Sequence, residues 1–203
     1  MAKKIAVIVS DMVNDFFHPK AAIAFPSCNH IVPPIKMLCD EARKRGIPIV
    51  FVGDSLRPDR KSPELEIWTD HCVKGTWGAK FLDILGEPTA YVEKEGFTPM
   101  FGKHGEELLE VLRSLNVDAL ILCGVCTPEI ESTAQILSIE PGLKDPERPE
   151  LGWDIIICND AVGDCGEERL FDARRDLHLL RGNKGSKLKV TTVWELVSQD
   201  FEI

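Results

Sequence analysis

The chain has 203 residues, 44% of them hydrophobic and 28% charged, and this size and composition predict one globular domain over residues 1–203. Its formal charge is -9, and the chain shows no basic stripe of the kind that binds nucleic acid. We also expect no membrane partner and a cytoplasmic location. No apolar run approaches the roughly 20 residues of a membrane span, and the first run, which ends at Ser10, has no signal-peptide cleavage site.

Six short apolar runs are predicted as strands, because they are rich in β-branched residues and apolar on both faces. In chain order they are Ile5–Val9, Ile47–Val52, Ala90–Val92, Ala119–Leu122, Asp154–Cys158 and Leu188–Val190. Helical periodicity lies between them, at Pro33–Arg45, Gly105–Leu115, Glu129–Ile139 and Glu167–Leu180, with a last helix from near Val193. This alternation predicts a parallel sheet of about six strands with helices on both faces.

Two long stretches show neither the strand pattern nor helical periodicity. They are Ser55–Thr76, rich in Pro, Asp and Trp, and Glu140–Gly152, which holds three prolines. Long structured loops in a domain are often functional. The second stretch has an equally good interpretation as a tolerated surface insertion.

Polar residues follow the strands at the sheet edge where ligands bind in parallel α/β folds. Asp11 follows the first strand, Lys94 the third and Cys126 the fourth. In a dry pocket an Asp and a Lys hold each other ionised, a carboxylate acts as a general base, and a Lys stabilises developing negative charge. We therefore expect Asp11 and Lys94 side by side, on adjacent strands. Taken singly, they also fit a turn residue and a surface lysine.

Four motifs, in this order, resemble the isochorismatase-like cysteine hydrolase superfamily over nearly the whole chain. They are Asp11-Met-Val-Asn-Asp-Phe16, then Trp68-Thr-Asp-His-Cys-Val-Lys-Gly-Thr-Trp-Gly-Ala79, then Val92-Glu-Lys94 with Phe97 and Phe101-Gly102, then Gly124-Val-Cys-Thr127 with Glu131-Ser-Thr-Ala134. The resemblance implies a Rossmann-like, three-layer α/β/α sandwich, which agrees with the six predicted strands. It also implies a small-molecule substrate, no cofactor, and a homo-oligomer, either dimer or tetramer. Amidohydrolases of this superfamily, such as nicotinamidases and N-carbamoylsarcosine amidohydrolases, use an Asp, Lys and Cys triad. Asp11 and Lys94 match its first two members.

The third member of that triad has no match. The superfamily pattern is roughly Gly-Val-x-Thr-x-x-Cys-Val-x-x-Thr-Ala, whereas this chain is one residue shorter over the same span. Counting back from Thr133-Ala134 puts Glu129 at the cysteine position, and counting forward from Gly124 puts Ile130 there. The usual nucleophile position is therefore not occupied by a thiol.

Cys126 is the candidate replacement thiol, if the shortened turn presents it to Asp11 and Lys94. Its ordinary interpretation is a small buried residue, since thiols react only where a low pKa is arranged. Cys123 and Cys126 also form a C-x-x-C pair, although four strands precede it, unlike a thioredoxin domain. With Cys158 and Cys165 they could bind zinc, but their spacing is irregular for that metal.

No metal site is predicted. The resemblance implies an Asp-x-His metal motif after the second strand in nicotinamidases, but here Leu56 replaces the histidine that would follow Asp54. Asp54 with His71 leaves too few ligands. His71 is interpreted as a loop-ordering residue that hydrogen-bonds backbone.

Substrate contacts are predicted from aromatic and turn residues near this edge. Phe16, Trp77 and Phe97 could line a pocket for a planar substrate, although aromatic residues more often belong to a core or an interface. Thr127 belongs to the turn that the resemblance implies supplies an oxyanion hole. These four residues are the candidate substrate-binding set.

Three functions remain open. The first is a hydrolase of a small amide or ureido C–N bond, with Cys126 as nucleophile or by a non-covalent route. The second is a thiol-independent hydrolase with Asp11 as acid or base, Lys94 as electrostatic partner and Glu129 as a new carboxylate. Isochorismatases, which hydrolyse a vinyl ether without a nucleophile, are the implied precedent. The third is a catalytically altered or inactive member that serves as a small-molecule binding or scaffold protein and keeps a buried ion pair.

Overall fold

One parallel sheet organises the chain in the computed structural model, which describes residues 3–21, 23–61, 65, 68–164 and 188–202. Its strands are β1 (Ile5–Ser10), β2 (Ile49–Asp54), β3 (Ala90–Lys94), β4 (Ala119–Val125), β5 (Asp154–Gly163) and β6 (Leu188–Thr191). They lie in the order β3-β2-β1-β4-β5-β6, and every pair is parallel. β1, β2 and β4 are buried along their whole length, as expected of strands covered on both faces. The predicted parallel sheet is confirmed.

Helices cover both faces of the sheet. They are α1 (Asn14–Phe17), α2 (Val32–Lys44), α3 (Gly102–Leu115), α4 (Thr127–Ile139) and α5 (Val193–Ser198), with 3-10 turns at Pro26–Ile31 and Asp83–Leu85. α2 and α5 share one apolar core with the odd-numbered residues of β1, and α3 and α4 share the other with its even-numbered residues. The result is the predicted three-layer sandwich. The predicted helix Glu167–Leu180 lies outside the described residues, and none of the described helices is long and apolar enough to span a bilayer.

Most strands run further at their carboxyl ends than their apolar runs predicted. β2 continues to Asp54 and β3 to Lys94, because these polar side chains find buried partners at the sheet edge. α4 begins two residues before its predicted start, at Thr127. Pro128 is acceptable there, since the first helical turn needs no N–H from it.

The insertion at 140–152 lies at the opposite edge of the sheet from the carboxyl ends of the strands. The Arg113 side chain donates to the Leu143 carbonyl at 2.8 Å. Lys144 Nζ donates to the carbonyl of Asp118, which directly precedes β4, at 3.3 Å. These contacts support its interpretation as a surface insertion.

Gly124 lets β4 approach β1 closely, and its replacement by alanine is expected to cost more than about 3 kcal/mol of unfolding free energy. Its φ is 120°, and a Cβ there would lie 2.0 Å from the Ser10 carbonyl oxygen. Gly46 is the matched control, with a φ of 67° and no heavy atom within 4 Å of an added Cβ. Gly46→Ala should cost only about 1–2 kcal/mol. Urea denaturation of the two variants compares them, and equal losses would contradict the packing argument.

Candidate active site

A buried lysine holds two carboxylates at the carboxyl edge of the sheet. Lys94 Nζ lies 2.7 Å from Asp11 Oδ2 and 2.8 Å from Asp54 Oδ1, and it donates to the Gly96 carbonyl at 3.1 Å. Lys94 is 1% exposed, Asp11 4% and Asp54 5%. The predicted pairing of Asp11 with Lys94 is confirmed, and Asp54 joins it as a partner that the sequence did not indicate.

The ends of three strands position this cluster. Asp11 follows β1 directly, while Asp54 and Lys94 are the last residues of β2 and β3 and lie in register. The Asp54 backbone N–H donates to Asp11 Oδ1 at 2.9 Å. The expectation that Asp11 and Lys94 follow adjacent strands is wrong, since β2 separates them. The long lysine side chain spans that strand, and Asp54 fills the space between.

Glu129 brings a third buried carboxyl to the same place. It lies in the first turn of α4 and is 1% exposed. Its Oε1 accepts a hydrogen bond from Thr133 Oγ1 at 3.0 Å, while its Oε2 is buried without a hydrogen-bond partner. Buried polar atoms are normally paired, so an unpartnered one calls for an explanation.

Three carboxyls share one ammonium group, and this imbalance alters their proton affinities. Burial raises the pKa of Asp11 to about 7, partly offset by Lys94, and raises the pKa of Glu129 to about 8. For Lys94, burial acts to lower the pKa, but Asp11 and Asp54 outweigh it and hold the pKa well above its ordinary value. Near neutral pH the cluster therefore holds a positive lysine and at least one protonated carboxyl.

The free energy of unfolding is expected to fall as pH rises from about 5 to about 9, by on the order of 6 kcal/mol. Asp11 and Glu129 titrate from 3.8 and 4.5 in the unfolded chain to about 7 and about 8 in the native protein. Between these values the native state binds more protons, so rising pH favours unfolding. Chemical denaturation across this range measures how steeply the free energy of unfolding falls with pH, and the fall should be smaller in Glu129→Gln. A wild-type free energy of unfolding that rises with pH would contradict these pKa shifts.

The cluster lines a cavity of about 100 Å³. That is smaller than most drug-sized sites and close to the size that holds a single small ring. Its lining residues are Asp11, Phe16, Ile23, Phe25, Asp54, Trp68, His71, Lys94, Phe97, Val125, Cys126 and Glu129. The site is therefore suited to a small molecule that carries both apolar and polar groups.

Two of the four predicted substrate contacts line this cavity, namely Phe16 and Phe97. Trp77 and Thr127 are not among the residues that line the cavity, and their role as substrate contacts stays a prediction. Trp77 is 51% exposed and packs edge-on against His18, while Thr127 Oγ1 donates to the β5 backbone at 3.3 Å. Neither orientation could be read from a motif, because each depends on a neighbouring segment.

Two aromatic residues that line the cavity, Phe25 and Trp68, were not predicted from the sequence. The rings of Phe25 and Trp68 pack edge-to-face with their centroids 5.9 Å apart, and the ring centroids of Phe25 and Phe16 are 5.5 Å apart. Trp68 opened one of the motifs and could have been named, whereas Phe25 stands in a stretch without any motif. Asp54 was weighed only as a metal ligand.

The thiols divide into one at the cavity and others in the core. Cys126 is the N-cap residue of α4 and lines the cavity. Cys123 and Cys158 are fully buried, and burial raises the pKa of both thiols, which makes them unreactive. The redox-pair interpretation of Cys123 and Cys126 is therefore disfavoured. Cys165 lies outside the described residues.

Comparison with known proteins agrees with this geometry. The isochorismatase domain family matches residues 5–129, which include Asp11 and Lys94. A probable inactive nicotinamidase of Arabidopsis thaliana is 30% identical over 135 residues, covering 61% of this chain and 66% of that protein. The N-carbamoylsarcosine amidase of Thermoplasma acidophilum is 26% identical, with a TM-score of 0.69 over 94% of this chain and 96% of that one. The pyrazinamidase of Pyrococcus horikoshii, solved with zinc, is 26% identical, with a TM-score of 0.71 over 93% and 99%.

The zinc of that pyrazinamidase prompts the question whether this site fits a metal. The Asp54 carboxylate is bound to Lys94, and Leu56 offers no donor atom. His71 Nδ1 lies 2.8 Å from the Thr69 carbonyl, the backbone hydrogen bond predicted for it. Within the described ranges, no three His, Cys, Asp or Glu side chains are grouped to hold an ion. The residues present do not fit the metal.

Proposed function

Because the chain belongs to the isochorismatase family, we propose that it is a hydrolase in which buried carboxyls, and not a cysteine thiolate, carry out the proton transfers. One observation carries the proposal. Glu129 is buried beside the Lys94 cluster with Oε2 unpartnered in a cavity sized for a small substrate. The substrates proposed are small amides, ureido compounds or vinyl ethers.

The two high-pKa carboxyls divide the chemistry of amide hydrolysis between them. Water attacks the carbonyl carbon while ionised Asp11 takes its proton, and protonated Glu129 gives its proton to the leaving nitrogen as the C–N bond breaks. Asp11 ends protonated and Glu129 ionised, and one proton passed from the first to the second resets the site. Lys94 supports the ionised state of Asp11 during the attack.

A thiol route is the second candidate, and the position of Cys126 favours it. This residue lines the cavity at the amino end of a 13-residue helix, where the helix dipole stabilises a thiolate. On this route Cys126 Sγ would attack the carbonyl carbon and form a thioester, which water would then hydrolyse. Glu129 would then act only on the leaving group.

A binding protein without turnover is the third candidate. The relation to a protein named as a probable inactive nicotinamidase favours it. The Lys94 ion pairs would persist without catalysis, because removing one partner of a buried pair is costly. In that case the cavity would bind its ligand unchanged.

A screen of small amides, ureido compounds and vinyl ethers tests the proposal by direct detection of the products. We expect hydrolysis by the wild type and by Glu110→Gln, which changes an exposed glutamate of α3, and loss of it in Asp11→Asn. An empty screen would favour the binding protein. Equal activity in Asp11→Asn would show that the reaction takes place elsewhere.

Thr133 is expected to set the pH range of the proposed reaction through its hydrogen bond to Glu129. Its hydroxyl donates to Glu129 Oε1, which favours the ionised carboxylate and lowers its pKa. Thr133→Val should therefore raise the pKa further and move the basic limb of the pH–rate profile to higher pH. Thr133→Ser keeps the hydroxyl and should restore the original profile. A shift common to both variants would indicate altered packing instead.

A further inference from the structure

We propose that the cavity binds a small planar cation, with an amidinium- or guanidinium-type head group, in preference to neutral or anionic molecules of the same shape. The inference deepens the proposed function by naming the substrate class, and it rests on that function for the reaction that follows binding. Binding itself can be measured without turnover.

The first support is the charge of the cavity. Among the described lining residues, Asp11, Asp54 and Glu129 face a single lysine or arginine, Lys94. The three donor positions of that lysine match three acceptors, namely Asp11, Asp54 and the Gly96 carbonyl. No donor of Lys94 is left over to pair with a substrate carboxylate. An anion entering here would meet carboxyl oxygens without a compensating cation.

The second support is the unpartnered Oε2 of Glu129. Glu129 is 1% exposed and lines the cavity, and this oxygen has no hydrogen-bond donor. When Glu129 is ionised, a molecule in the cavity that carries N–H groups can supply this donor. Planar groups with several N–H donors are well matched to a carboxylate, and charge makes such hydrogen bonds stronger. A guanidinium-type group supplies both the donors and the charge.

The third support is the aromatic part of the cavity lining. Among the described residues, the Phe and Trp side chains that line the cavity are Phe16, Phe25, Phe97 and Trp68. Aromatic faces attract cations, and desolvation strengthens the attraction. Carboxyls and aromatic rings that line the same cavity are a combination that recognises cationic nitrogen compounds. The volume of about 100 Å³ limits the head group to a small planar one.

Binding of a cation should depend on pH through Glu129. The titratable groups that face this carboxyl are Asp11 after β1, Lys94 on β3 and Cys126 at the start of its own helix, with Asp54 and His71 on the same cavity. A cation favours the ionised carboxylate, so its binding releases a proton from the protonated native site. With a cationic substrate, Asp11 would take the proton of the attacking water and return it to the leaving nitrogen, while the ionised Glu129 binds the cation. Affinity should therefore rise with pH through the titration of Glu129, which burial places at about 8.

Guanidinium, urea and nitrate form a matched set for the test, because all three are planar, three-armed and similar in size. Titration followed by NMR shifts of the cavity residues should show guanidinium binding at least about tenfold tighter than urea, with nitrate weakest. Guanidinium affinity should rise between about pH 6 and about pH 9. Glu129→Gln should reduce the preference and remove the part of the pH dependence that lies above the titration of Asp11 at about 7, whereas the surface control Glu110→Gln should keep both. If Glu129→Gln does not fold, the pH dependence in the wild type still decides.

Equal or tighter binding of urea or nitrate, or binding that is independent of pH, would overturn the inference. The two proposals fail separately. If the screen reveals hydrolysis but guanidinium shows no preference, only the substrate class is wrong. If guanidinium binds selectively while amides, ureido compounds, vinyl ethers and guanidino compounds all stay intact, the hydrolase proposal is wrong and the cation site remains.

Discussion

Replacing Lys94 with methionine is expected to lower the free energy of unfolding by about 3–5 kcal/mol near neutral pH. Methionine keeps the length and packing of the side chain but leaves Asp11 and Asp54 without their cation, in a site almost closed to water. An uncompensated buried charge is costly, and the two carboxyls would be forced to take up protons. Urea denaturation near neutral pH measures the loss.

The control for this prediction removes the carboxylate charges that are left without a cation. Adding Asp11→Asn and Asp54→Asn to Lys94→Met should recover much of the lost stability, because a neutral cluster needs no counter-ion. The loss in Lys94→Met alone should also shrink at acid pH, where the carboxyls are protonated. If the single variant is as stable as the wild type, the ion pairs are not a structural element of this fold.

Asp11→Asn and Glu129→Gln are each expected to lower kcat by about 100- to 10,000-fold on the substrate found by the screen. Each change removes one proton-transfer group and keeps the side-chain shape. The double variant should be little worse than either single one, because groups that act in one proton circuit are not additive. Steady-state kinetics with circular dichroism as a check on folding measures this. A Glu129→Gln enzyme with wild-type kcat would remove Glu129 from the mechanism.

The layers of the fold could be predicted from the sequence because each one follows from local pattern. Apolar runs on both faces predicted buried parallel strands, and β1 and β4 are buried throughout. The carboxyl ends of the strands were less predictable. Asp54 and Lys94 look like the end of a hydrophobic run, yet they stay in their strands because they neutralise each other.

The only site residues whose positions could be predicted are those that directly follow a strand. Asp11 and Lys94 follow their strands directly, so their meeting required only the topology. The positions of Trp77 and Phe25 depend on the way in which the long loops fold over the sheet edge. Sequence periodicity does not predict that folding. Trp77 is half-exposed and does not line the cavity, whereas Phe25 lines it, the reverse of what motif membership indicated.

The position of Glu129 could be predicted only in part from the sequence. Counting between motifs left Glu129 and Ile130 as alternatives at one position. The structure buries both, with Ile130 in the core beneath α4 and the Glu129 carboxyl in the cavity. Which of two adjacent helical residues faces a cavity depends on where the helix begins, and α4 begins earlier than its periodicity suggested.

The turnover of Cys126→Ala tests most directly whether the carboxyls have replaced the thiol. The variant removes the thiol that lines the cavity and leaves Asp11, Lys94 and Glu129 in place. Its kcat should stay within about twofold of the wild type, a difference of less than 1 kcal/mol in barrier, and mass spectrometry of the working wild-type enzyme should show no acyl group on Cys126. Loss of turnover in Cys126→Ala, together with an acyl adduct on Cys126 in the wild type, would contradict the account and establish a relocated nucleophile.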